Sequence, residues 1–187
     1  MEQNLDTVEF SPAELLSDVL ETRDDTETIA AAGPKVAACL IEYARGRYIA
    51  LPPHTTYGLI ESPEFVRVPG AAGYAYGLLT WQESRVPLLD INALVHGELA
   101  AVQNIAPRYA LIVGYQCIPR GPLEYGAIAL AVLPKTIAIG DEAQCELPAD
   151  SPLWPLLALS CFQYEGNSVA ILDSARLFAA NHADFNE

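Results

Sequence analysis

The chain has 187 residues, 51% of them hydrophobic, and a formal net charge of −14. That length suits one domain with a proper buried core. The acidity argues against nucleic acid and anionic membrane surfaces, both of which are bound through clustered Lys and Arg. No run approaches the ~18 consecutive apolar residues of a membrane span, and Met1 to Asp6 lacks the basic start and apolar core of a signal peptide. The expectation is a cytoplasmic protein without membrane insertion. Cys39, Cys117, Cys145 and Cys161 are widely spaced with no Cys-x-x-Cys pair, so they read as reduced thiols and not as a zinc site or disulfide framework.

The imbalance of charge is concentrated: residues 1 to 28 carry nine acids against one Arg. Within them Ser11-Pro12-Ala13-Glu14 is a helix start, with Ser11 as cap, Pro12 at the first helical position and Glu14 completing a capping box. Leu15, Leu16, Val19 and Leu20 then share one face, opposite Asp18 and Glu21. A helix of about three turns is marginal alone in water and needs something to dock on, either its own domain or a partner. Arg23 to Thr28 reads as an acidic linker. Residues 1–31 are thus expected to form an N-terminal extension, 32–182 the domain, and 183–187 a tail.

From Val36 the periodicity changes to that of strands. Val36 to Tyr43 and Arg47 to Pro52 read as a hairpin turning at Ala44-Arg45-Gly46, which Pro52-Pro53 must end because proline has no ladder donor. Tyr57 to Ser62 is a further strand. A glycine-rich approach from Pro69 leads to Gly77-Leu78-Leu79, a polar tip at Thr80-Trp81-Gln82-Glu83-Ser84, and a strand closed by Asp90. Tyr109 to Tyr115 and Tyr125 to Val132 follow, separated by a Pro-Arg-Gly-Pro turn, then Thr136 to Ile139. Asp141 to Trp154 reads as a loop. Leu157 to Tyr164 and Asn167 to Leu172 form a hairpin closed at Glu165-Gly166, and Ser174 to Ala180 a short helix. Many short strands with Gly and Pro turns predict an all-β barrel or sandwich.

The sequence also repeats itself. Val86 to Val95 and Val169 to Phe178 share a pattern of four largely apolar residues, an Asp, three mixed residues and two apolar ones. Two copies predict two similar β lobes, since a solenoid needs three or more. Asp90 and Asp173 each end a strand and precede a short helix, where a carboxylate accepts the free amides of the first turn. Capping is therefore preferred over a catalytic carboxylate pair.

Little else points to chemistry. His54, His96 and His182 have no metal-ligand spacing, and there is no His-Glu-x-x-His, P-loop or Gly-x-Ser-x-Gly. Cys161 sits in an apolar strand and reads as a core thiol. Gly70, Gly73 and Gly77 lack the strand and helix of a dinucleotide fingerprint. No catalytic residue, metal or cofactor is expected. A pocket lined by ionisable side chains would favour the rival reading, a small β-barrel enzyme or ligand binder; solid cores would favour an adaptor.

Pro69-Gly70, Gly77, Pro87 and Asp90 fall in register with the core signature of the CheW-like family, and the chain resembles those proteins over residues 36 to 180. The resemblance implies two intertwined five-stranded SH3-like β-barrels, with short helices added. It implies a non-enzymatic adaptor linking a chemoreceptor signalling tip to the regulatory domain of a CheA-like histidine kinase, in chemotaxis or a pathway such as twitching motility. Weak self-association is a further expectation, since open strand edges suit barrel-to-barrel contact. The tip departs from the family, with Thr80, Gln82 and Glu83 in place of Asn, Arg and Gly. Tyr57, Gly58 and Leu59 fall on the family's Val-x-Glu-Ile strand, Gly58 at the acidic place. Tyr57, Gly58, Leu59, Thr80, Trp81, Gln82 and Glu83 are therefore the expected partner-binding residues, and Gly77, Pro87, Asp90 and Asp173 the structural ones. A relative that kept the scaffold and lost standard receptor coupling is the alternative.

Overall fold

The computed structural model describes residues 33–97 and 106–179. The expected N-terminal helix, the 1–31 extension, His182 and the 183–187 tail lie outside them. Among the described residues eleven strands and three short α-helices follow in order. They are β1 (Lys35–Ala44), β2 (Arg47–Leu51), β3 (Thr56–Glu61), β4 (Phe65–Val66), β5 (Ala75–Trp81), β6 (Ser84–Leu89) and α1 (Ile91–His96), then β7 (Tyr109–Tyr115), β8 (Glu124–Leu130), β9 (Lys135–Gly140), α2 (Trp154–Leu157), β10 (Ala158–Tyr164), β11 (Asn167–Leu172) and α3 (Ser174–Ala179). The strand expected from Tyr125 to Val132 stops at Leu130, and the one from Leu157 starts at Ala158. The two-residue β4 and the turn of helix at Trp154 have no counterpart in the sequence reading.

The strands form two sheets, ordered β10-β11-β2-β1-β9 and β3-β7-β8-β6-β5-β4. Each sheet draws strands from both halves of the chain. In the first, β2 and β1 of the first half lie between β11 and β9 of the second; in the second, β7 and β8 lie between β3 and β6. The two lobes are therefore interlaced, and each is joined by one parallel seam, β11 with β2 and β6 with β8.

The repeat is visible in backbone detail. Asp90 N donates to Tyr74 O and Asp173 N to Leu157 O, while Leu94 N donates to Asp90 O and Leu177 N to Asp173 O. Both hairpins close through two-residue loops, Gln82-Glu83 and Glu165-Gly166, and both carry a bulge, between Ala75 and Gly77 and between Ala158 and Ser160. The copies differ at one point. Gly77 has φ +146, and a Cβ there would collide with the Val66 carbonyl of β4. The equivalent Ser160 carries a side chain, although Gln144 and Cys145 meet β10 at the places where Phe65 and Val66 of β4 meet β5.

Both faces of the central strands are buried, which explains their near-continuous apolar runs. On β7, Ala110 and Ile112 point into the second lobe, whereas Tyr109, Leu111 and Val113 point between the lobes. On β2, Ala50 faces the first lobe, and Ile49 and Leu51 face the seam. Helices α1, α2 and α3 add Ile91, Leu94, Trp154, Leu157 and Leu177 to that middle core, the largest of the three. The first sheet curls so that the segment after β9 meets β10, with a bridge between Gln144 and Phe162 and Cys145 N donating to Cys161 O. The Cys145 and Cys161 sulfurs there lie 3.2 Å apart.

Candidate functional site

The expected contact residues separate into two places. Gln82 and Glu83 form the exposed two-residue turn between β5 and β6, with φ +45 and +66. Thr80 is exposed beside them. Trp81 is not at the tip: it is 5% exposed and fills the second lobe with Leu79, Val86, Leu88 and Ile112. In a strand, residues two apart share a face, so Trp81 follows Gly77 and Leu79 inward. The indole is a core residue and offers no contact surface. Its Nε1 is buried without a hydrogen-bond partner among the described residues.

Gly58 meets Trp81 from the opposite edge of the sheet. A Cβ on Gly58 would stand 2.6 Å from Trp81 Cη2, so position 58 faces the barrel interior. The resemblance had placed Gly58 at the family's acidic position as a partner-binding residue; here it is buried, on a strand whose register with β7 shifts between Thr56 and Gly58. Tyr57 is half-exposed, its ring edge-on to Tyr125 at 5.3 Å and lying over Gly114. Leu59 packs against the middle core.

The backbone of Gly58 and the side chain of Leu59 line a cleft of about 200 Å³ where the two sheets meet. Pro53 and Thr56, Cys39 of β1, Leu111 of β7, Leu133 and Pro134 just ahead of β9, and Lys135 and Thr136 at its start complete it. The walls are mostly apolar. Burial pushes the Cys39 thiol up to about 11, which keeps it neutral and unreactive at ordinary pH. The sequence reading missed Leu133-Pro134, running β8 on through Val132; an apolar pair after a strand, just ahead of a Lys-Thr strand start, was the available signal.

A second depression of about 580 Å³ lies on the same seam. Glu42, Tyr43 and Arg45 approach it from the β1–β2 hairpin, Tyr76 from β5, Asp90 and Asn92 from the start of α1, and Arg108 from the segment before β7. Its carboxylates are engaged. Glu42 Oε1 accepts from Gly46 N at 2.9 Å, and Asp90 accepts from Ala93 N at 3.0 Å and from the Tyr76 hydroxyl at 3.5 Å. Asp173 likewise accepts from Ala175 N and Arg176 N at 2.9 and 3.2 Å. These are caps, each holding the first turn of a helix to the end of a strand.

A polar cluster braces one side of this groove. Asp150 accepts from Trp154 Nε1 at 2.7 Å and pairs with Arg47 at 3.3 Å, and Arg47 in turn lies 2.6 Å from His96 Nε2. Tyr43 stacks on His96 and meets Trp154 edge-on. Burial, then the nearby Asp150 charge, pushes the Tyr43 phenol up to about 12. The cluster ties the β1–β2 hairpin, α1 and α2 together across the seam. Among the described residues no group of three His, Cys, Asp or Glu side chains is placed to hold a metal ion, and no helix is long and apolar enough to cross a membrane.

The chain is similar in structure to the crystal structure of the scaffolding protein TtCheW from Thermoanaerobacter tengcongensis, with a TM-score of 0.61, at 11% identity, over 79% of this chain and 95% of that one. The fold is CheW-like. No family model and no curated protein matches the chain, so the likeness lies in the interlaced lobes and not in side-chain identity. Of the residues behind the CheW-like resemblance, Gly77, Pro87 and Asp90 each have a backbone task. Gly77 admits β4, and Asp90 caps α1. Pro87 sits opposite Leu78, three rungs beyond the closing pair Trp81 and Ser84; the closing pair of a two-residue hairpin is hydrogen-bonded and the rungs alternate, so this rung asks no donor of Pro87 toward β5.

Proposed function

We propose that the chain is a non-enzymatic adaptor of the CheW type, holding a histidine kinase's regulatory domain and a chemoreceptor tip in fixed relative geometry. The observation that carries this reading is the pair of interlaced lobes shared with a scaffolding protein over nearly its whole length. The interiors support it: each lobe is filled by its own apolar cluster, and the repeated carboxylates are spent on helix caps. The apolar cleft at Leu59, Leu111 and Leu133 suits one or two apolar side chains of a helical hairpin laid along the seam. The exposed β5–β6 turn and free strand edges suit a barrel of similar build. Cytoplasmic location and a two-component pathway belong to the same reading.

The altered tip favours the alternative, a CheW-like regulator without standard receptor coupling. Arg donates through a planar charged fork that Gln82 lacks, and Glu83 adds a negative charge beside it. A pull-down from native lysate tests the proposal: a histidine kinase co-purifies if the chain is an adaptor. Recovery of neither kinase nor receptor, with the protein folded, contradicts it.

A further inference from the structure

We propose that the chain's own acidic N-terminal segment docks on the apolar cleft, with Leu15, Leu16, Val19 and Leu20 seated against Leu133. The inference rests on the cleft being the partner site, and makes that site self-covered until a partner displaces the segment.

Three observations converge on this occupant. The first is apolar surface in want of cover. Leu133 is 53% exposed at the cleft wall, and Val132 beside it is 44% exposed. The stripe of four apolar residues in the N-terminal segment is of matching size, and a helix that short is marginal unless it docks. The second is reach. Thirteen residues separate Glu21 from Lys35, where β1 begins, and an extended linker of that length spans up to about 43 Å. Cys39, which lines the cleft opposite Thr136, is only four residues further along β1, or roughly 13 Å.

The third is charge. The segment holds nine acids and one Arg, whereas Lys135 stands in the cleft wall. Arg45 and Arg108 line the neighbouring groove together with Glu42 and Asp90; the two carboxylates accept from Gly46 N, Ala93 N and the Tyr76 hydroxyl, and none of the ion pairs among the described residues uses either Arg. One short loop divides the two depressions: Ala131 and Val132 face the groove, Leu133 and Pro134 the cleft. An amphipathic segment with an acidic back thus finds apolar contact in one depression and cations in the other. Tethering supplies an effective concentration on the order of 1 mM, so even a weak contact is substantially occupied.

Amide hydrogen exchange on the full chain tests this directly. The expected result is that amides of residues 13–21 exchange about threefold to tenfold more slowly than an unstructured chain, as for a contact with a dissociation constant of roughly 0.1–0.5 mM set against the tether's effective concentration. Leu133→Asp and, separately, Leu16→Asp abolish the protection, while melting curves show the domain still folded. Protection that survives Leu133→Asp places the segment elsewhere and overturns the proposal. So does protection that rises with protein concentration, which means docking on a second copy, and so does its absence from the wild type. A second arm separates the two readings. If Leu16→Asp abolishes protection and tightens binding of a chemoreceptor signalling fragment severalfold, both hold. If protection is lost without any change in that binding, self-docking stands and the cleft is not the receptor site.

Discussion

Single residues settle most of what distinguishes this chain. Gly58 and Trp81 are a matched pair: the indole occupies the space a side chain at 58 would need. Gly58→Ala is expected to destabilise the domain by about 1–3 kcal/mol, the usual cost of overpacking. Trp81→Phe in the same background should recover part of that loss, because the smaller ring lacks the clashing atoms. Denaturant midpoints of both single variants and the double variant measure the coupling, and purely additive losses contradict the contact. Asp90 and Asp173 give a cleaner test of their role. As caps they should tolerate Asn, while Ala at either position costs about 1 kcal/mol; equal losses for Asn and Ala at either site speak against capping.

At the scale of elements, the two β hairpins with their following helices were legible because their requirements are local. A run of apolar residues ending in Asp before a short amphipathic stretch specifies strand, cap and helix without reference to the rest of the molecule. The turn between β5 and β6 was legible only in part. The alternation of Gly77, Leu79 and Trp81 was present in the sequence, but reading Thr80 to Ser84 as one polar tip hid the inward parity of Trp81. The β4 strand was invisible because two residues carry no period, although the need for Gly at 77 is its trace. The cleft was not legible, since it joins Cys39, Leu59, Leu111 and Leu133 from separate strands. Turn chemistry gives this scale its prediction. Gln82 and Glu83 both hold positive φ, whereas the second copy already places Gly166 at φ +82. Glu83→Gly should therefore raise stability by up to roughly 1 kcal/mol by removing left-handed strain. The double variant Gln82→Arg, Glu83→Gly should in addition strengthen receptor binding. Tight wild-type binding left unchanged by the double substitution contradicts the view that this tip departs from standard receptor coupling.

For the whole molecule, the interlaced topology makes the lobes a single unit. Neither sheet can be completed from one half of the chain, and the largest core lies between them, so thermal or denaturant unfolding should be one transition. Several buried acids of the seam and the first lobe share a direction: Cys39 is pushed up to about 11, and Tyr43 and Cys161 to about 12. Burial is the leading cause for all three, with the Cys145 thiol adding to the rise at Cys161. Each binds its proton more tightly folded than unfolded, so the stability it contributes is complete below the unfolded value and lost as pH rises through the folded one. The melting temperature should fall from about pH 9 upward, where unfolded thiols begin to ionise; a flat profile to pH 11 contradicts the burial of these groups. The central claim, the proposal that these lobes form an adaptor, is tested most directly by titrating the full chain with the isolated regulatory domain of a CheA-like histidine kinase from the same cells. The account predicts saturable one-to-one binding with a dissociation constant on the order of micromolar or tighter, about −8 kcal/mol. No heat or shift at concentrations of ~100 μM of the folded partners, where binding weaker than about −5 kcal/mol escapes notice, would contradict it.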